Sequence, residues 1–394
     1  MSAGINLSHA HDYNRLLVLQ TIRLNAPTTR AEIAQLTGLT APAVSSIVTG
    51  LIADGFVNEL GRRTQGRGQP PIELAINPEG AMTVGLHLDY NVLKGVLVDL
   101  EGTLIDEVTI DHESPSPDEA LHMLVSAYRQ LTRAAARQVL GIGLVTVGPI
   151  SVHTGRVIRP PHFEGWDVVP LKEPLEAATG LPVLLDNNAT AAAIGEFWYG
   201  AGRQRSDFLL VYMGLGVGGG LFLNGRVHRG TSLNAGEFGH MIVDPAGTPC
   251  ACGSRGCLET LTSLSALSRD LGKAYRSPEY LLQAFEQGDA ALLGWLERAA
   301  QVMAKAVVSV DNLLDLEAAI FGGRLPQTVL THFVARVRHY CEPFYMKGRL
   351  HHISLEVGVT GDNSAALGAA ILPIYDSFSP SLVPARPMAT RLSS

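Results

Sequence analysis

Cysteine is scarce in this chain, four in 394 residues, too few for the disulfide framework of a secreted protein. Long apolar runs are missing as well. Although 46% of the residues are hydrophobic, no uninterrupted stretch reaches the roughly 18 residues of a membrane-crossing helix. Met1 to Gln20 carries His, Asp, Asn and Arg in place of a basic start and an apolar run, so no export signal is expected. Charge is sparse, 17%, and the formal net charge is −7. That balance argues against a chain coated in nucleic acid but says nothing of one small module within it. A soluble cytoplasmic protein without membrane insertion is the expectation. What is plentiful is glycine, 41 residues, together with enough apolar side chains for two or three folded units.

Tyr13, Leu16, Leu17, Leu19, Ile22 and Leu24 recur with helical spacing and stop before Pro27, which predicts a first helix. Thr28 or Thr29 can cap a second helix from Arg30 to Leu36, Gly38 supplies a turn, and Thr40-Ala41-Pro42 opens a third helix through Leu51. Helix, glycine turn and helix form a helix-turn-helix. The third helix would bury Val44, Ile47, Val48 and Leu51 and leave Thr40, Ala41, Ala43, Ser45, Ser46 and Thr49 outward, small groups suited to base edges and phosphates. Phe56 to Leu60 and Ile72 to Ile76 alternate like two strands around a glycine-rich loop holding Arg62, Arg63 and Arg67. Arginines on such a wing can follow phosphates or enter a minor groove. The competing reading is a three-helix packing module that binds no DNA.

From Ala81 the pattern becomes α/β. Strands are expected at Val84 to Asp89, Gly95 to Leu100, Leu104 to Ile110, Leu140 to Val147 and Leu181 to Leu185, with a helix at Asp118 to Gln138 and an alanine-rich one at Ala189 to Tyr199. A second series begins with strand Phe208 to Met213, a glycine loop Gly214 to Gly220 and strand Leu221 to Leu223. It ends with strands Ala318 to Phe321 and Ser354 to Val359 and a small-residue helix Ala365 to Ile371. Two α/β halves around a cleft are the arrangement of actin-like sugar kinases. The expected division is residues 1–78 for the winged helix-turn-helix, 79–190 with a C-terminal helix at about 363–376 for a smaller lobe, 191–362 for a larger lobe with the cysteine loop and an oligomerisation surface, and 377–394 for a tail that covers surface or frays.

Three of the cysteines, Cys250, Cys252 and Cys257, crowd into one loop close after His240. One imidazole and three thiolates make a tetrahedral set that leaves no open position, so the expected cofactor is a structural Zn2+. The alternative is a loop of reduced cysteines that merely lie near one another.

The run Gly214 to Gly220, Asn224-Gly225, Gly230, Ala235-Gly236-Glu237-Phe238-Gly239-His240 and the Cys-x-Cys-Gly-x-x-Gly-Cys-x-Glu segment ending at Glu259 resemble the signature of the ROK family of repressors, open reading frames and sugar kinases. The resemblance extends from Ala81 to about Ile371, and the winged helix in front resembles the repressor branch. It implies a two-lobed actin-like ATPase fold that binds hexoses, amino sugars, xylose or their phosphates in its cleft. It also nominates Asn187, Asn188, Glu237, His240 and Glu259 as sugar ligands, with His240 serving zinc through one ring nitrogen and sugar through the other. Helix capping is the competing role for the two asparagines, and support of the cysteine loop for Glu259. Pro161 to Trp166 resembles the family's cleft-wall loop, with Trp166 expected to pack.

Two departures from the kinase pattern stand out. Where family kinases carry Asp-x-Gly-Gly-Thr to cradle ATP phosphates, this chain has His87-Leu88-Asp89-Tyr90-Asn91, which puts side chains where phosphate must meet backbone. Where the family's general base is an Asp, Asp186-Asn187-Asn188 puts Asn188, an amide that cannot take the proton. No catalytic residue is therefore expected. The leading reading is a repressor of sugar genes, binding operator DNA as a homodimer or homotetramer and controlled by a sugar. The alternatives are an active ATP-dependent sugar kinase and a repressor titrated by a protein partner such as a sugar transporter.

Overall fold

The computed structural model describes residues 7–63, 70–133, 135, 137–152, 154–160, 163–272, 275 and 277–378. The expectations for Arg67, for the first two residues of the Pro161 to Trp166 loop and for the tail beyond residue 378 fall outside the described residues.

The chain opens with α1 (Leu7–Asn25), β1 (Thr28–Thr29), α2 (Arg30–Thr37), α3 (Ala41–Ala53), β2 (Val57–Arg62) and β3 (Ile72–Ile76). Thr29 is the α2 cap, closed into a capping box with Glu32, and Gly38 ends α2 in the left-handed region at φ 70°. The axis then turns by 118° into α3, which buries Val44, Ile47, Val48 and Leu51 as its spacing predicts. The three strands pair in the order β1, β3, β2. This is a winged helix-turn-helix.

The next sheet is built from β4 (Met82–Leu88), β5 (Val92–Asp99), β6 (Leu104–Asp111), β7 (Val139–Thr146) and, later in the chain, β11 (Val183–Asn187), in the order β11, β7, β4, β5, β6. Between these strands lie α4 (Pro117–Thr132), a small sheet of β8 (Ile150–Ser151), β9 (Arg156–Ile158) and β10 (Val168–Pro170), and α5 (Lys172–Thr179). Then α6 (Asn188–Tyr199) leads into β12 (Phe208–Met213), β13 (Val217–Leu223) and β14 (Arg226–Val227). Helices α7 (Glu259–Thr262), α8 (Leu264–Leu271), α9 (Pro278–Glu286) and α10 (Ala290–Leu314) precede β15 (Ala318–Gly323), α11 (Gln327–Cys341), β16 (Ser354–Val357) and α12 (Ser364–Phe378). The second large sheet runs β14, β13, β12, β15, β16. Two five-stranded mixed sheets, each with helices against it, give the two-lobed α/β body.

Two expectations need correction. The helix expected to run to Gln138 ends at Thr132. Val217 to Gly220 is not part of a loop but the first half of β13, paired antiparallel with Leu210 to Met213. The glycines serve packing there. A Cβ on Gly218 would stand 2.6 Å from the Ala189 Cβ, and one on Gly220 would stand 2.4 Å from the Ala193 Cβ, so the first turns of α6 sit on this strand only because these two positions carry no side chain.

Helices α6 and α12 cross between the lobes at equally short range. A Cβ on Gly368 would lie 1.7 Å from the Ala191 carbonyl oxygen, and one on Gly195 would lie 2.8 Å from that of Ser364. The same core continues into the DNA module, where Leu16, Val18, Leu19 and Ile22 of α1 join Ala191 to Ile194 and Trp198 of α6 and Ala365, Ala369, Ile371 and Leu372 of α12. Gly368→Ala is expected to destabilise the protein by about 2–3 kcal/mol through overpacking, read as a lower urea midpoint; an unchanged midpoint would mean that the crossing has slack.

Candidate functional site

The residues of α3 expected to face DNA lie mostly at the surface. Thr40, Ala41, Ser45, Ser46 and Thr49 are exposed and Ala43 is half-buried. Thr40 caps α3 by accepting the Ala43 N–H, and the Thr49 hydroxyl donates to the Ser45 carbonyl at 2.8 Å. Among the wing arginines Arg62 is exposed. Arg63 is committed inside the module. Its guanidinium meets Glu73 and Glu32, each at 2.7 Å, and donates to the Pro27 carbonyl, so it ties the wing to the start of α2. A contiguous basic run gave no signal of this, because both acidic partners lie far off in sequence.

The His/Cys cluster is assembled by a tightly bridged loop. Ile242 pairs with Cys257 and Pro249 with Arg255, and a Cβ on Gly256 would stand 1.5 Å from the Asp244 carbonyl oxygen, so only glycine closes the turn. His240, Cys250, Cys252 and Cys257 place their ligand atoms within 4.8 Å of one another. Cys252 Sγ to Cys257 Sγ is 3.7 Å and Cys250 Sγ to His240 Nδ1 is 3.6 Å. The edge of a tetrahedron with bonds of about 2.3 Å is about 3.8 Å, so the cluster has the dimensions of a tetrahedral metal centre.

Around that cluster lie the nominated sugar ligands. Glu259, at the start of α7, has its carboxylate 3.0 Å from Cys250 Sγ and 3.6 Å from His240 Nδ1. The other imidazole nitrogen, Nε2, faces the Glu237 carboxylate at 3.8 Å. Glu237 keeps 57% of its side-chain surface open, yet partial burial desolvates the carboxyl and raises its pKa; His240 opposes the rise and Glu259 adds to it.

The asparagines stand on the other side of β13 from Glu237 and His240. One face of this strand takes the first turn of α6 through Gly218 and Gly220, while Val217 and Gly219 take Gly239 and Gly236, with a would-be Gly239 Cβ 1.9 Å from the Val217 carbonyl oxygen. Arg229 holds the Asp186 carboxylate in two hydrogen bonds of 2.9 and 2.5 Å, next to Asn187 in the chain. Asn187 caps α6, its Oδ1 accepting from the Ala189 and Thr190 N–H groups. The Asn188 Oδ1 accepts from Ala189 at 2.9 Å, and Asn188 is 7% exposed. Both carbonyl oxygens thus support the helix, while each amide NH2 remains a donor.

Across the cleft, the turn from β4 to β5 holds a residue that sequence reading missed. Arg324 follows Gly322-Gly323 at the end of β15, and its Nη1 donates to Asp89 Oδ2 at 3.2 Å and to Asn91 Oδ1 at 2.8 Å. Its side chain is 11% exposed and that of Asp89 4%. A guanidinium from one lobe fills the turn that belongs to the other. A cation directly after a paired glycine at a strand end was the available signal. Beneath the pair His87, 2% exposed, meets Tyr212 edge-on at 6.4 Å between ring centroids. Trp166 is packed, 5% exposed, with its indole N–H donating to the Pro115 carbonyl.

With this geometry in hand, known proteins were compared. The model of the ROK family matches residues 83–375, and the model described as winged helix-turn-helix DNA-binding matches residues 11–58. The chain is similar to the xylose repressor of Bacillus subtilis strain 168, 29% identical over 312 residues covering 78% of this chain and 81% of that protein. It is also similar to the glucokinase of Thermotoga maritima MSB8, 31% identical over 258 residues covering 61% of this chain and 81% of that enzyme. Among solved structures, a ROK family transcriptional regulator homologous to the Escherichia coli MLC protein shares the fold with TM-score 0.75 at 23% identity, covering 94% of this chain and 98% of its own.

Burial pushes the His87 pKa from 6.5 down to about 4, with Asp89 opposing the fall and Arg324 and Lys94 adding to it. The unfolded chain takes up this proton below 6.5 and the folded chain does not until about 4, so stability falls as pH drops through that window and is level above it. His87→Leu removes the titration. It is expected to shrink the loss of stability between pH 7.5 and 5 by about 2 kcal/mol, measured by urea unfolding; an equal loss in both proteins would refute the assignment.

Proposed function

The chain belongs to the ROK family, and from that premise we propose that it is a sugar-responsive transcriptional repressor whose kinase-like body has lost its chemistry. α3 would read operator sequence, with Arg62 adding phosphate contact. Asn187, Asn188, Glu237, His240 and Glu259 would bind the sugar, supplying donors and acceptors together to vicinal hydroxyls. The one observation that carries the reading is the Arg324 bridge to Asp89 and Asn91. It occupies with the protein's own charges the turn that in family kinases cradles ATP phosphates, while Asn188 stands where their base would be. On this reading the cleft keeps groups for a sugar while its first phosphate turn is filled from within. Since Arg229 is neutralised by Asp186 and the remaining pocket groups include Glu237 and Glu259, a neutral sugar suits the site better than a phosphorylated one. The winged helix implies a symmetric dimer, or a pair of dimers, on operator half-sites.

The fit of His240, Cys250, Cys252 and Cys257 to a tetrahedron supports structural zinc in this reading. Bound there, the ion would fix the ring orientation of His240 and turn Nε2 toward the pocket. Purified protein is expected to carry about one zinc per chain by elemental analysis, and Cys252→Ser to lose both the metal and thermal stability. Metal-free wild-type protein of undiminished stability would defeat this assignment.

An electrophoretic shift assay on the DNA upstream of the chain's own gene, with D-xylose, D-glucose and N-acetyl-D-glucosamine in turn, tests the function. A shift at low salt that one of these sugars weakens at least tenfold is expected, with no ATP-dependent phosphorylation in a coupled assay. The likeness to a glucokinase makes the second assay the discriminating one: turnover would favour a kinase with an added DNA module, and absence of any shift would sink the repressor.

A further inference from the structure

The sugar ligands and the DNA module lie at opposite ends of one helix. Asn187 and Asn188 form the first turn of α6, and Trp198 and Tyr199 form its last. At about 1.5 Å per residue, the helix spans roughly 17 Å between the pocket and the winged helix. Its far end is held by the DNA module itself. The Arg23 guanidinium of α1 lies over the Trp198 ring, 4.2 Å from the centroid, and Arg23 Nη1 donates to the Trp198 carbonyl oxygen. This is a contact between elements 175 residues apart. Trp198 is 1% exposed, so the cation–π pair is largely shielded from water and stronger than a surface one.

Between its ends α6 is gripped on every side. Gly368 and Gly195 set the crossing with α12 at backbone contact. Glu196, 1% exposed, accepts hydrogen bonds from the N–H and hydroxyl of Thr360 and from the N–H of Ala201. A Cβ on Gly102 would fall 1.7 Å from the Tyr199 ring, which clamps the last turn against the hairpin of β5 and β6. A helix so confined cannot bend to absorb a displacement at one end. It shifts as a unit or not at all.

We propose that α6 is the rod that couples the sugar pocket to the DNA module, and that Arg23 and Trp198 are the joint through which it acts. This deepens the functional reading above and rests on it. Sugar drawn against Asn187 and Asn188 displaces the first turn, the crossing with α12 carries the displacement along the axis, and the Trp198 carbonyl and ring move α1. The winged helix packs on α1 through Leu16, Val18, Leu19 and Ile22, so its orientation relative to the body changes with it. Arg23 and Trp198 are positioning residues on this account. Neither touches sugar or DNA, and their contribution is to the coupling between the two affinities.

The test measures three quantities on full-length protein: affinity for the upstream DNA, affinity for the sugar that releases the wild type, and affinity for the DNA at saturating sugar. Arg23→Met keeps an apolar stem and removes the guanidinium, and Trp198→Phe serves as a second, independent variant should the first fail to fold. Each variant is expected to bind DNA without sugar within about twofold of wild type and to bind sugar within about twofold. Release should fall from at least tenfold to less than threefold. Release at the wild-type ratio in both variants would overturn the proposal, as would weakened DNA binding with release intact, the mark of a purely structural contact. A wild type that binds DNA and answers no sugar would overturn the functional reading and the coupling with it. A wild type that responds while both variants do not supports the coupling alone.

Discussion

The close approach of α6 and α12 is the constraint on which the rest of the molecule depends. Two sheets with separate helical layers would ordinarily form two cores. Here the layers meet through glycine and alanine, with Gly195, Gly368 and Ala191 at backbone distance, so there is no side-chain cushion between the lobes. The neighbouring strand follows the same rule, since Gly218 and Gly220 let α6 settle onto β13. A consequence is that Asn187 and Asn188 at one end of α6 and Trp198 and Tyr199 at the other are referred to one rigid frame. Small residues contribute little apolar area each; what they provide is proximity, and proximity is what makes positions at the two ends of α6 interdependent.

Charge placement shows how the cleft has been repurposed on the proposed reading. In a phosphate-binding turn the backbone N–H groups must be open to the ligand. Here the Tyr90 N–H is taken by Asp89 Oδ1 at 2.7 Å and the Asp89 N–H by the Val92 carbonyl, while Arg324 closes the space in front. A buried ion pair of this kind is not strong evidence of stability, because desolvation offsets most of its attraction. It is better understood as a constraint on geometry. Arg324 enters from the end of β15 and Asp89 from the end of β4, so the pair ties the two sheets together at that point.

Much of this was legible in the sequence, and the legible parts share a property. The helix-turn-helix, with its Thr29 and Thr40 caps, its Gly38 turn and the buried set Val44, Ile47, Val48 and Leu51, is specified by neighbours within a few residues. So is the loop that gathers Cys250, Cys252 and Cys257. What escaped was long-range pairing. Arg63 read as a DNA contact because its partners Glu32 and Glu73 come from another helix and another strand. Arg324 carried no motif until folding brought Asp89 and Asn91 to it across 235 and 233 residues. The glycine run Val217 to Gly220 read as a loop because glycine usually marks one; its role in letting a helix approach a strand depends on where Ala189 and Ala193 fall. Local grammar shows in one sequence, and partner choice between distant segments does not.

The loss of a nucleotide site and the gain of a sensor can be one change. A kinase cleft closes on two ligands, and each supplies part of the free energy that draws the lobes together. On the proposed reading, with the phosphate turn filled internally by Arg324, the sugar is the ligand whose binding biases the lobes. All of its differential affinity for the two arrangements is then available to the DNA module. A tenfold change in operator affinity requires about 1.4 kcal/mol of coupling and a hundredfold change about 2.7, within what a few hydrogen bonds from Asn187, Asn188 and Glu237 to sugar hydroxyls can supply if they form in one arrangement only. Equal binding to both would move nothing, however tight. The demand on such a sensor is therefore not high affinity but a pocket whose groups stand on parts that move relative to one another. On the proposed reading the asparagines on α6 and the carboxylate of Glu237, on a separate loop packed against the opposite face of β13, would meet that demand, because a sugar bridging them pulls one element against the other.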